Sequence, residues 1–158
     1  MVLTAGDAAP PFELPDADGQ SVQLADLQGK WVVLYFYPRD NTPGCTKEAC
    51  GFRDAYAEYQ NSDVVVLGVS TDDAKSHTKF ATKYELPFPL LVDEGGAIAE
   101  QYGSYGLKKF MGKEYMGITR STFIIAPDGK LAKVYRKDKP EPHAQEVLKD
   151  IAELAADA

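Results

Sequence analysis

Trp31-Val32-Val33-Leu34-Tyr35-Phe36-Tyr37 is a continuous apolar and aromatic run, and Pro38-Arg39-Asp40-Asn41-Thr42-Pro43-Gly44-Cys45 follows it directly. Such a run is too short for most helices and rich in residues that suit a pleat. It therefore predicts a strand buried on both faces and central to a sheet. The loop after it holds two prolines and a glycine. Residues 46–60 then carry Ala49, Phe52, Ala55, Tyr56 and Tyr59 at helical spacing, completing a strand, a loop and a helix.

Working outward, residues 12–24 hold two short apolar-bearing runs around Asp18-Gly19, a turn pair that predicts an N-terminal β-hairpin. Residues 64–70 repeat the buried-strand pattern. Thr71-Asp72-Asp73 supplies a helix start, and residues 74–84 read as a helix ended before Pro87. Residues 90–92 give a short strand and 97–102 a short helix closed by Gly103. Residues 121–125 and 131–135 form a hairpin around Pro127-Asp128-Gly129, and a last helix runs from Pro142 to about Leu154. Parallel βα units followed by an antiparallel hairpin and a helix make an α/β fold. Its central mixed sheet is flanked by helices, an arrangement of which the thioredoxin fold is one member. No repeat or linker interrupts residues 1–158, so a single domain is expected.

The bulk properties agree. A chain of 158 residues buries roughly 70% of its unfolded surface and needs no metal or disulfide staple. With 44% hydrophobic and 26% charged residues it has an ordinary globular composition. A net charge of −7 argues against a nucleic-acid or membrane-surface binder, which relies on clustered Lys and Arg. No stretch approaches the ~18 apolar residues of a membrane span. Residues 1–10 show no basic segment leading into an apolar run, so a cytoplasmic location is expected. Two cysteines, five positions apart, are too few for a secreted disulfide scaffold and suit a reducing compartment.

Cys45 falls at the carboxyl end of the central strand, the usual place for a site in an α/β sheet. With Thr42 as N-cap and Pro43 at the first helical position, Cys45 lies among the unpaired amides of the first turn. Those amides favour a thiolate by up to ~2 kcal/mol. That falls short of a committed thiolate, so a nearby cation is expected, with Arg39 and Arg120 as candidates. A small buried hydrophobe is the alternative role for Cys45. Along a helix the Cα atoms of Cys45 and Cys50 stand roughly 8 to 9 Å apart, whereas a disulfide needs about 4.4 to 6.8 Å. A bridge between them requires the first turns of the helix to unwind, which Gly51 would ease. The spacing also differs from the Cys-x-x-Cys of dithiol exchange. Cys50 could otherwise simply pack the helix on the sheet.

The loop Pro38-x-x-x-Thr42-x-x-Cys45 resembles the active-site signature of the peroxiredoxins. Tyr35-Phe36-Tyr37-Pro38, Thr42-Pro43-Gly44-Cys45-Thr46 and Glu48-Ala49-Cys50-Gly51-Phe52-Arg53-Asp54 are similar to the subgroup called peroxiredoxin Q or bacterioferritin comigratory protein. The similarity continues through Gly68-Val69-Ser70, Lys109-Phe110-Met111-Gly112-Lys113, Gly117-Ile118-x-Arg120 and Phe123-Ile124-Ile125. The resemblance implies a thioredoxin-like fold and a thiol peroxidase. In that reading Cys45 is the peroxidatic cysteine, Thr42 hydrogen-bonds the peroxide, Pro38 shields the pocket, and Arg120 holds thiolate and substrate. Cys50 is the resolving cysteine, which implies an intramolecular disulfide reset by thioredoxin or a similar dithiol protein. No metal, haem or flavin cofactor is implied. The resemblance leaves both monomer and dimer open, with a monomer expected.

A thioredoxin-like disulfide reductase and a non-enzymatic redox sensor are the rival readings, separated from a peroxidase by the rate of peroxide turnover. Zinc binding would need both cysteines to converge with His77 and His143. Each histidine has polar sequence neighbours and is expected to face solvent. Lys108, Lys109 and Lys113 are expected on a solvated loop. The aromatic residues of the 31–37 run are expected in the core, with Tyr37, next to Pro38, the nearest to the site.

Overall fold

The computed structural model describes residues 3–136 and 143–156. The chain opens with an antiparallel hairpin of β1 (Glu13–Pro15) and β2 (Ser21–Gln23), turned at Gly19 with a positive φ. The long apolar run becomes β3 (Trp31–Phe36), followed by α1 (Pro43–Asp54) and α2 (Tyr56–Asn61). Then come β4 (Val64–Ser70), α3 (Ala74–Tyr84), β5 (Leu90–Val92) and α4 (Ala97–Gln101). The chain continues through β6 (Tyr105–Phe110), β7 (Lys113–Ile118), β8 (Ser121–Ile125), β9 (Leu131–Arg136) and α5 (His143–Ala156).

β3 lies at the centre of a five-stranded sheet of order β5-β4-β3-β8-β9. It pairs parallel with β4 and antiparallel with β8; β4–β5 is parallel and β8–β9 antiparallel. Alternation along β3 divides the core. Val33, Tyr35 and Tyr37 join Ala49 and Phe52 of α1, Phe80 of α3 and Val147 and Ile151 of α5. Val32, Leu34 and Phe36 face the other way, onto Ala99 of α4 and onto Phe12 and Leu14 of the N-terminal segment. Helices thus flank both faces, as the parallel connections require. Gly68 of β4 stands opposite Tyr35, and a Cβ there would come within 2.9 Å of both the Tyr35 ring and Leu90 Cδ2. The Tyr35 ring occupies the space that the missing side chain leaves.

Three expectations need correction. Residues 46–60 are not one helix. The chain breaks at Ala55 (φ −94°, ψ 1°), beyond which Tyr59 is buried and its hydroxyl donates to Ala144 O at 2.8 Å. Residues 105–118, including the lysines assigned to a loop, form the β6–β7 hairpin. Its turn at Met111-Gly112 has positive φ at both residues, the conformation a two-residue hairpin loop needs. Finally, His77 and His143 are buried, on the core faces of α3 and α5. The start expected for the last helix, Pro142, lies outside the described residues. Among the described residues no helix is long and apolar enough to cross a membrane.

Candidate active site

α1 begins where the sequence places it. Thr42 has extended backbone, Pro43 opens the helix, and Thr46 N–H donates to Thr42 O at 2.8 Å. The Thr42 hydroxyl does not cap the helix but donates to Arg39 O at 3.1 Å, so it does not occupy the first-turn amides. Cys45 stands in this first turn with 1% of its surface exposed.

The cation is Arg120, from the short connection between β7 and β8. Its Nη2 donates to Cys45 Sγ at 3.3 Å and its Nη1 to Glu48 Oε1 at 2.8 Å. Arg39, the other candidate, is exposed. Glu48 lies one helical turn past Cys45 and is buried, so sulfur and carboxylate present one face of α1 to one guanidinium. Burial by itself would lower the Arg120 pKa. The charges of Glu48 and Cys45 and the hydrogen bonds to them outweigh it and hold the value above the ordinary one. The connection is pinned on either side of Arg120. Thr119 N–H donates to Ser104 O at 2.7 Å, and the hydroxyls of Ser104 and Ser121 share a 2.5 Å hydrogen bond. Beside this group Tyr35 stacks on Phe52 with centroids 4.9 Å apart. Burial, then the charges of Glu48, Cys45 and Asp40, push its hydroxyl well above the usual phenol range, so it stays a neutral phenol.

A second polar group lies behind the loop. Asp40 is 8% exposed and accepts from Tyr37 Oη at 2.6 Å and from Ser76 Oγ at 2.8 Å, and it meets His77 Nδ1 at 2.6 Å. The Asp40 N–H donates to Asp72 Oδ2 at 2.7 Å, an oxygen that also accepts from Ser70 Oγ at 2.9 Å. On its other side His77 Nε2 meets Leu91 O at 2.8 Å.

A model of the AhpC/TSA family matches residues 5–134. Peroxiredoxin Bcp of Bacillus subtilis is 47% identical over 155 residues, 98% of this chain and 99% of that protein. The chain belongs to this family of peroxiredoxins. Among solved structures, a cysteine-to-serine variant of Xylella fastidiosa peroxiredoxin Q superposes with a TM-score of 0.91 at 31% identity, covering 98% of each chain. The bacterioferritin comigratory protein of Xanthomonas campestris, studied for its alkyl peroxide reduction activity, gives 0.87 at 34% identity over 98% of each chain. The thioredoxin-like fold and the peroxiredoxin Q grouping expected from the sequence therefore stand.

Of the residues singled out in this peroxiredoxin, Pro38, Thr42 and Cys45 lie on one continuous loop and helix start, and Arg120 reaches the sulfur across the fold. Cys50 sits five residues along the same unbroken helix, half-buried and free. Its alternative role as a packing residue fits less well than for Ala49 and Phe52, which are the buried positions of that turn. Glu48, Asp40 and His77 were not singled out for the site. Glu48 carried a signal all the same, since a buried arginine beside a thiol needs a counter-charge and Glu48 is on the cysteine's face. As for a metal, Asp40, Asp72 and His77 bring ligand atoms within 4.8 Å of one another, but both His77 nitrogens and both Asp40 oxygens already have hydrogen-bond partners. His143 is likewise occupied, with Nε2 2.8 Å from Thr122 Oγ1.

Proposed function

We propose that this protein, a thiol-dependent peroxidase, reduces hydrogen peroxide and organic hydroperoxides with Cys45 as nucleophile and Cys50 as resolving cysteine. The observation that carries the reading is the 3.3 Å contact from Arg120 to Sγ at a helix start whose amides the Thr42 hydroxyl leaves open. The Cys45 thiolate attacks one peroxide oxygen and the O–O bond breaks. The second oxygen leaves with its electron pair, is stabilised by the Arg120 guanidinium and first-turn amides, and takes up a proton to give water or an alcohol. The Thr42 hydroxyl, with its own proton on Arg39 O, accepts a hydrogen bond from the peroxide O–H, and Pro38 covers the pocket against water.

Cys45 is now a sulfenic acid. The Cys50 sulfur attacks it, the S–O bond breaks, water leaves and a disulfide forms, which avoids irreversible over-oxidation. Helix geometry keeps the two Cα atoms about 8 to 9 Å apart, so α1 must first unwind from its N-terminal end. A reduced thioredoxin or similar dithiol protein then exchanges into the bridge and restores both thiols. This is an atypical two-cysteine cycle in one monomeric domain of the cytoplasm. The alkyl peroxide reduction of the Xanthomonas relative supports the organic substrates.

The test is rapid mixing of reduced protein with one equivalent of hydrogen peroxide, followed by Trp31 fluorescence and mass spectrometry. Fast oxidation should require Cys45, end in a Cys45–Cys50 bridge, and stop at the sulfenic acid in Cys50→Ser. Oxidation no faster than that of an ordinary exposed thiol would remove the peroxidase reading and leave disulfide exchange or redox sensing.

A further inference from the structure

The loop from Pro38 to Thr42 owes its shape to Asp40, and Asp40 is held from outside the loop. His77 meets only acceptors. Leu91 O can donate nothing, and the Asp40 carboxylate already accepts from Tyr37 and Ser76. Tyr37 Oη, 3.5 Å from Nδ1, has its proton directed at Asp40. Hydrogen-bond bookkeeping therefore places a proton on each ring nitrogen. The groups facing the ring are Asp40 from the loop, Tyr37 from the end of β3, Asp72 from the turn after β4 and Leu91 O from β5. Two of them are carboxylates, and none is a cation.

We propose that His77, as an imidazolium linking Leu91 O of β5 to Asp40, is a positioning residue for peroxide reduction. It fixes the loop that presents Thr42 and starts the Cys45 helix. This rests on the peroxidase reading above. The ring touches no reacting atom; it acts through Asp40, two residues before Thr42, in a loop where Asn41 is already in the left-handed region (φ 60°). Burial would lower the His77 pKa, but the Asp40 hydrogen bond and charge, the Leu91 carbonyl and Asp72 raise it above its ordinary value. The sign follows from that. The imidazolium, and with it the clamp, persists to a higher pH than a free histidine would allow and is lost as pH rises through the raised value.

The experiment compares wild type, His77→Gln and Ser76→Ala by stopped-flow Trp31 fluorescence with hydrogen peroxide, from about pH 6 to about pH 10. Alkylation of Cys45 by iodoacetamide, which needs no peroxide geometry, is measured alongside. His77→Gln should oxidise about 10- to 100-fold more slowly while alkylation keeps its wild-type rate. The difference from wild type should narrow as pH rises, and Ser76→Ala should show a smaller loss of the same kind. Wild-type oxidation in His77→Gln, or a parallel fall of oxidation and alkylation with no pH trend, overturns the proposal. Should His77→Gln not fold, the ring ¹⁵N spectrum of the wild type decides. Two protonated nitrogens at neutral pH support the clamp, and a single N–H overturns it. Slow oxidation of the wild type itself would instead strike the peroxidase reading, whereas a fast wild type matched by His77→Gln strikes only this inference.

Discussion

The loop before Cys45 and the hairpin before Arg120 deliver the two halves of the site in opposite ways. The loop is tied to its surroundings through Asp40, whose side chain and backbone N–H reach Tyr37, Ser76, His77 and Asp72. The β6–β7 hairpin pairs only with itself. It carries Leu107, Met111, Tyr115 and Met116, the exposed large hydrophobic residues of the described chain. A lone two-stranded hairpin is marginally stable, yet Arg120 follows β7 by two residues. What fixes the guanidinium is the junction itself, through Thr119, Ser104, Ser121 and Glu48. A side chain can thus be held at the foot of an element whose tip stands in solvent, provided the foot has its own partners.

The strongest way to break this contrast is at the junction. Arg120→Met removes the donor at the sulfur and should slow peroxide oxidation of Cys45 by about 10²- to 10³-fold in stopped flow. It also takes away the cation facing a buried carboxylate, so urea unfolding should show a loss of about 3 kcal/mol. Substituting the loop's support, His77→Gln, comes next, with the smaller kinetic loss and pH trend given above. Gly68→Ala tests packing alone. A methyl within 2.9 Å of Tyr35 and Leu90 should cost about 1 to 3 kcal/mol in denaturant unfolding, with side-chain adjustment reaching Tyr35 beside Cys45. The smallest effect is expected on the hairpin. Leu107→Ser with Met116→Ser should leave the oxidation rate at the wild-type value and stability within about 0.5 kcal/mol. A large rate loss in that double variant would show that the hairpin, and not its foot, positions Arg120.

These two regions also differ in how far they could be read from sequence. The strand, loop and helix around Cys45 announced themselves through a continuous apolar run, a Pro-Gly loop and an N-cap, all local signals. Arg120 at the sulfur was not a local matter, since contact across 75 positions depends on β8 pairing beside β3; the family resemblance supplied it. The β6–β7 hairpin escaped because its turn is Met111-Gly112, not Asn-Gly or Asp-Gly, and its strands mix lysines with apolar residues without a clean alternation. His77 and His143 were misread from their neighbours in sequence. On the helix each shares a face with buried residues: His77 with Phe80, and His143 with Val147 and Ile151. That spacing was the signal to follow. Their burial is stable because each ring nitrogen finds a partner, which polarity counted along the chain cannot reveal.

The break at Ala55 bears on what an oxidised molecule can do. Past Cys50, Phe52 is fully buried and the Gly51 Cα side lies against Ala144 of α5, where an added Cβ would stand 3.6 Å from the Ala144 methyl. α2, with Tyr59 bonded to Ala144, is set on its own axis. If α1 unwinds as proposed, the break at Ala55 would act as an expansion joint between the remodelled turns and α2. On that reading the turns from Pro43 to Cys50 would be remodelled while the Gly51–Ala144 and Tyr59–Ala144 contacts hold, so a chemical event at one sulfur would not be felt through the rest of the fold.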